Sequence, residues 1–216
     1  TLLSLYQHKS ICLINNKADI PISKTEPIKK PAITHTRKAP NLILPSSHKK
    51  ITVNESTINQ LITQSRWEQI LSVLDSHETP HTSFMLNAKA TALANLGKLQ
   101  QAVQLCENSL LADPTNKHTY FIFAVILMEL NQLPKAENLL RKTLFLDHQF
   151  VEGHFQLGLL LIRDKRHDAG LKCLQNALAI AKNKSPTEIV SEFHGLDFGR
   201  LAEILSHEID LYQSQR

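Results

Sequence analysis

From about residue 56 onward, apolar residues recur every three or four positions, the spacing that lines one face of an α-helix. Ile58, Leu61 and Ile62, followed by Trp67, Ile70, Leu71 and Leu74, predict a short helical pair over residues 56–82. From residue 83 the pattern repeats with a period of 34. Small residues recur at Ala90, Ala124 and Gly158, at Ala102, Ala136 and Gly170, and at Ser109, Thr143 and Ala177. In the same frame, large apolar residues recur at Leu93, Leu127 and Leu161, at Cys106, Leu140 and Leu174, and at Leu110, Leu144 and Leu178. Two antiparallel helices approach closely only where the facing side chains are small, and large residues fill the flanking holes. These columns therefore predict a ladder of helix pairs.

Turn signals fall where the ladder needs them: Leu96-Gly97-Lys98 and Asn131-Gln132-Leu133-Pro134 within repeats, Asp113-Pro114 and Asp147-His148 between them. A 34-residue helical period with small residues at fixed offsets resembles the tetratricopeptide repeat. The resemblance implies an all-α fold, an α-α superhelix or solenoid, with three repeats over residues 83–184, preceded by the degenerate pair. The third repeat carries Gly170 where alanine is usual and has no closing proline, so its second helix is expected to run longer. After Ser185-Pro186, the positions Leu201, Leu205, Ile209 and Tyr212 mark one helical face, with Asp197 as its N-cap. Residues 185–216 are thus expected to form a capping helix over the open end of the solenoid.

The first 55 residues have a different texture. They hold nine Lys/Arg against three acids, leaving fifteen against seventeen in the rest of the chain, so the basic character belongs to this leader alone. Residues 20–55 carry five of the nine prolines and no helical period, which predicts an extended or disordered tether. No aromatic side chain interleaves its lysines as a stacking platform for nucleic acid would. In residues 1–19 the run Ile11-Cys12-Leu13-Ile14 before Asn15-Asn16 reads as a remnant strand of an upstream domain. With Thr1 first and no signal-peptide pattern, the chain reads as part of a longer protein.

Several chemistries lack the residues they require. The longest apolar run, Tyr120 to Met128, is about half of the ~20 residues a membrane-spanning helix needs. Three cysteines without a CxxC spacing argue against a disulfide framework and a zinc site, and favour a reducing, cytoplasmic setting. His77 and His81 stand four apart but flank Pro80, and no further ligand completes a metal set. His148 and His154 lack a neighbouring nucleophile or orienting acid. All six glycines fall at or after Gly97, so no glycine-rich loop is present to cradle a cofactor. The chain is expected to be non-catalytic, with no metal and no cofactor.

A second resemblance concerns Ser191-Glu192-Phe193-His194-Gly195-Leu196-Asp197-Phe198-Gly199-Arg200-Leu201, together with the junction Leu144-Phe145-Leu146-Asp147. Both are similar to the region beyond the catalytic domain of CheR-type bacterial chemoreceptor methyltransferases. That resemblance implies a signal-transduction enzyme of chemotaxis. Its upstream domain would transfer methyl groups from S-adenosylmethionine to receptor glutamates, and this chain would dock it to a receptor or signalling protein. The alternative is a tetratricopeptide adaptor or scaffold from an unrelated bacterial system, such as secretion or pilus assembly.

In such a solenoid the concave groove is lined by the first helix of each repeat. That offset rule nominates Asn87, Thr91 and Asn95, then Phe121, Val125, Met128 and Glu129, then Phe155, Leu159, Ile162 and Arg163. Offset 2 adds Phe84, His118 and Glu152. A groove of this composition suits an apolar helix or an extended peptide, with the polar members fixing register. With Asn87 and Thr91 at offsets 5 and 9, the lysine- and asparagine-rich clamp for acidic peptide C-termini is missing. Because contiguous exposed apolar patches are uncommon, the linker or the cap helix is an alternative occupant of the groove.

Overall fold

The computed structural model describes residues 54–76, 82–193 and 195–214. The expected strand and linker, His77, His81 and the side chain of His194 lie outside the described residues. Within them the chain forms four antiparallel helix pairs and a terminal helix: α1 (Glu55–Thr63) with α2 (Trp67–Asp75), α3 (Ser83–Asn95) with α4 (Leu99–Ala112), α5 (Lys117–Glu129) with α6 (Leu133–Leu146), α7 (Val151–Arg163) with α8 (His167–Lys182), then α9 (Phe198–Ser214). Each helix packs on its pair partner and each pair on the next, α3 stacks on both α1 and α5, and α9 closes against α8. The described residues are an all-α tetratricopeptide-repeat solenoid, and none of their helices is long and apolar enough to cross a membrane.

The helices begin and end where the side chains supply or withhold hydrogen bonds. At the entry to α1, α3 and α5, Asn54, Thr82 and Asn116 accept from the amides of Thr57, Met85 and Thr119, satisfying donors that a helix start leaves orphaned. The corresponding position before α7 is Phe150, which makes no side-chain cap and is buried instead. Within each pair the turn closes on one left-handed residue: Ser65, Gly97, Asn131 and Lys165, with φ of 55°, 77°, 58° and 62°. At each, successive amides reach back to two carbonyls of the preceding helix, as with Gly97 N–H to Ala94 O at 3.1 Å and Lys98 N–H to Leu93 O at 2.9 Å. Glycine occupies this conformation without strain, whereas Lys165 carries a Cβ penalty of about 1 kcal/mol.

Two of the three small-residue columns are the seams between paired helices: Ala90, Ala102, Ala124 and Ala136 are each at most 1% exposed, and Gly158 of α7 faces Gly170 of α8. A Cβ built on Gly170 would lie 2.8 Å from the carbonyl oxygen of Gly158, so these two helices touch backbone to backbone. α8 has sixteen residues against fourteen in α4 and α6, in agreement with the longer second helix expected of repeat three. Trp67 borders an N-terminal cluster of Ile58, Ile62, Ile70 and Leu74, which separates that end of the core from the glycine seam. At the other end, α9 buries Phe198, Leu201, Leu205 and Ile209, and the Asp197 carboxylate accepts from the Arg200 amide at 2.7 Å, the N-cap the sequence predicts.

Candidate peptide-binding groove

The side chains nominated for the groove divide into three groups. Some tie the solenoid together: Asn87, 7% exposed, accepts a hydrogen bond from Thr119 Oγ1 at 2.8 Å, and Thr119 in turn meets Ser109 Oγ at 3.3 Å. Asn87 therefore joins α3 to α5 and α4. Asn95 donates to the Thr91 carbonyl at 2.8 Å, and Arg163, exposed, donates to Asn131 of the neighbouring repeat at 3.1 Å. Others face the seam within a pair. Ile162 Cγ1 would stand 2.6 Å from a Cβ on Gly170, so this residue packs between α7 and α8. Ala94, its counterpart in the first clear repeat, shares a core cluster with Ala102. Val125 and Met128 are buried, while Thr91, Glu129 and Leu159 are half-buried.

The third group, Phe121 and Phe155, is covered by the chain itself. Between α8 and α9 the backbone folds into a narrow hook: Ile189 and Asp197 form an antiparallel bridge, Val190 N–H donates to Leu196 O at 2.9 Å, and Phe198 N–H to Glu188 O at 3.0 Å. Gly195 makes the return with φ +84°, and nothing lies within 4 Å of where its Cβ would be. Here glycine is required for the backbone angle rather than for space. The hook's tip carries Ser191, Glu192 and Phe193 into the face built by α5 and α7.

Phe193 is 2% exposed. Its ring centroid lies 5.6 Å from that of Phe155 and 6.4 Å from that of Phe121, both edge-on, and Phe121 meets Phe150 at 5.3 Å. Each such edge-on pair contributes about 0.5–1.5 kcal/mol beyond the area it buries. His118 stands edge-on to Phe150 and places its Nδ1 2.5 Å from the Glu192 carboxylate. The Glu152 carboxylate, 3% exposed, accepts from Ser191 Oγ at 2.8 Å and from the Glu192 amide at 3.1 Å. Periodicity could not find Ser191, Glu192 and Phe193, because a hook has none. The uncapped Phe150, standing in the column of Thr82 and Asn116, was the one available signal that this corner is packed.

Burial pushes the Glu152 carboxyl above its ordinary value of 4.5, against the hydrogen bonds that pull it down. A group raised on folding stabilises the fold fully below its unfolded value, and that contribution is lost as pH rises through its folded value. Glu152→Gln keeps an acceptor oxygen and cannot ionise. It is expected to match the wild type in thermal unfolding at pH 4 and to melt higher than the wild type at pH 7. A variant that melts lower at pH 7 than at pH 4, relative to the wild type, refutes this reading.

Burial pushes the Cys106 thiol up to about 12 and also raises that of the half-buried Cys173, so neither supplies a thiolate near neutral pH. His154 donates through Nε2 to the His148 carbonyl at 2.9 Å, a structural bond within one junction. Among the described residues no group of three or more His, Cys, Asp or Glu side chains is placed to hold a metal ion.

This geometry defines a tetratricopeptide-repeat solenoid whose α5–α7 face is covered in part by the chain's own hook. The family model for the tetratricopeptide repeat matches residues 93–154. Among solved structures, the type III secretion translocator chaperone SycD of Yersinia enterocolitica is similar at 14% identity and a TM-score of 0.55, over 64% of this chain and 98% of that one. MamA from Desulfovibrio magneticus RS-1, residues 41 to the end, is similar at 17% identity and a TM-score of 0.52, over 61% of this chain and 78% of that one. At these identities the likeness is one of fold. No curated protein matches the chain.

Proposed function

We propose that residues 55–214 form a protein-binding adaptor that engages its partner through the face built by α3, α5 and α7. The observation that carries this reading is the hook: a non-helical stretch of polypeptide lies on α5 and α7, with its hydroxyl and backbone amide both received by Glu152, its carboxylate by His118 and its phenyl by Phe121 and Phe155. The surface accommodates a bent, non-helical peptide segment. Of the two assignments reached from the sequence, the adaptor or scaffold is the better supported, and a secretion chaperone with the same fold is an example of that kind. A reducing, cytoplasmic setting belongs to the same reading.

The second reading makes the module the docking end of a chemoreceptor-type methyltransferase, with S-adenosylmethionine bound upstream, and it rests on Ser191–Leu201. Most of the residues carrying that resemblance have packing duties here. Ser191 and Glu192 hold Glu152, Phe193 fills the ring cluster, and Phe198 and Leu201 are buried. Their pattern follows from this chain's own folding, which leaves the resemblance less specific.

Site-specific photo-crosslinking in the native cell tests the adaptor reading. A photoreactive phenylalanine analogue at Thr91 or Leu159 is expected to yield a discrete protein adduct, and one at Phe145, 80% exposed on α6, is expected not to. Equal labelling from all three positions, or none from Thr91 and Leu159, rejects it.

A further inference from the structure

The hook's contacts follow the repeat. His118 and Glu152 occupy the same offset in successive repeats, and so do Phe121 and Phe155, 34 residues on in each case. One column is polar and the other aromatic. Together they read three consecutive residues of the tip: Glu152 takes the Ser191 hydroxyl and the Glu192 amide, His118 takes the Glu192 carboxylate, and the two phenylalanines take the Phe193 ring between them. α3 packs directly on α5, as α1 does on α3, whereas the gap between α5 and α7 is spanned by the Phe193 ring.

A plug that served only to shield Phe121 and Phe155 would need one apolar side chain. This site also buries a carboxylate, Glu152, whose desolvation is offset by its own backbone amide together with the hydroxyl and the amide that the hook brings to it. Such a set of partners describes a short sequence rather than a greasy contact: a hydroxyl residue, then an acid, then an aromatic, in a bent segment. Resting on the adaptor reading above, we propose that the α5–α7 face recognises a hydroxyl-acid-aromatic segment of a partner protein, and that Ser191-Glu192-Phe193 is an intramolecular copy of that ligand which the partner displaces.

The energetics make the copy a regulator of affinity. The hook is tethered at both ends, so its tip competes at an effective concentration in the millimolar range for a short linker. A partner's apparent dissociation constant is its intrinsic constant divided by the fraction of molecules with the hook undocked. Weakening the hook therefore tightens external binding, and, once the hook is undocked, weakening His118 loosens it.

The test uses the full chain and a fluorescein-labelled synthetic peptide with the sequence of residues 187–197. Anisotropy is expected to give at least tenfold tighter binding to the Phe193→Ala protein than to the wild type. Binding to that protein is expected to fall at least tenfold when the peptide's phenylalanine is replaced by alanine, and to weaken severalfold when His118→Ala is added. Equal affinity for both proteins, or equal binding of a scrambled peptide, overturns the proposal. Should Phe193→Ala fail to fold, the wild type decides: saturating peptide, and not the scrambled form, must raise hydrogen exchange at residues 188–198, and unchanged exchange overturns the proposal. If the peptide fails while Thr91 and Leu159 still crosslink to a partner, this inference falls and the adaptor reading stands.

Discussion

Phe193→Ala is expected to release the hook while leaving the solenoid folded. Truncating a fully buried phenylalanine costs about 3–5 kcal/mol in a core that cannot rearrange. The hook can rearrange by leaving, so the global loss is limited to the free energy that docks it. Each of the other side-chain contacts of the tip is weaker than the ring, while Val190, fully buried, anchors the base of the hook. The His118–Glu192 pair is 40% and 14% exposed, a setting in which an ion pair contributes about 0–1 kcal/mol. The bonds from Ser191 and the Glu192 amide to Glu152 add about 1–3 kcal/mol each at most, since their acceptor can be charged, and they are opposed by the burial of that charge. The phenyl ring therefore decides the balance. Hydrogen exchange should show the amides of residues 188–198 losing roughly a hundredfold in protection, which corresponds to about 3 kcal/mol. Exchange in α1 to α4 should remain unchanged, because a solenoid couples mainly nearest neighbours. Ile189→Ala serves as the control, since Ile189 is 58% exposed and its truncation should leave the hook in place. Unchanged protection in Phe193→Ala would mean that the hook is held by something other than this ring.

The contrast between the regular and irregular parts of this chain explains what could be read from its residues. The paired helices were legible because close helix contact needs small residues at a fixed interval, and Ala90, Ala124 and Gly158 state that interval directly. So was the N-cap Asp197, whose short carboxylate reaches an orphan amide. The left-handed turn residue was legible at Gly97 and illegible at Lys165, because only the first belongs to a residue type that prefers that conformation. The groove was harder. An offset rule gives the face a residue occupies to within about one helical step, and Ile162 falls on the far side of that uncertainty, against Gly170. Asn87 is polar enough to look like a ligand-binding group, yet its carbonyl is spent on Thr119, a partner 32 positions away that no local pattern announces. The hook is the extreme case: its role depends on two repeats presenting a histidine, a glutamate and two phenylalanines to one strand turn, a fact about three dimensions with no period in one.

The seam between α7 and α8 gives the second large effect. Gly170→Ala should destabilise the C-terminal half by about 2 kcal/mol, within the 1–3 kcal/mol typical of overpacking. Alanine gains about 1 kcal/mol of helix propensity over glycine, so the sign depends on whether the new methyl can be accommodated. At Gly170 it cannot be accommodated by side-chain motion alone: its nearest neighbours would be Ile162 Cγ1 at 2.6 Å, the Gly158 carbonyl oxygen at 2.8 Å and the Ile162 amide nitrogen at 3.0 Å. Two of the three are backbone, and relieving them requires the helices to part. At Gly158 the nearest atoms are Cδ2 and Cγ of Leu174, at 2.7 and 2.9 Å, which a leucine can partly withdraw. Gly158→Ala should therefore cost less than Gly170→Ala. The chain's single tryptophan, Trp67, lies in the N-terminal cluster and gives a local probe of the opposite end. In urea, the helical circular dichroism of Gly170→Ala should begin to fall before Trp67 fluorescence changes, whereas the two should coincide more closely in the wild type. Because α9 packs on α8 and the hook is strung between them, parting this seam should also loosen Phe193. A variant that unfolds at wild-type urea concentrations would show that α7 and α8 do not depend on backbone contact.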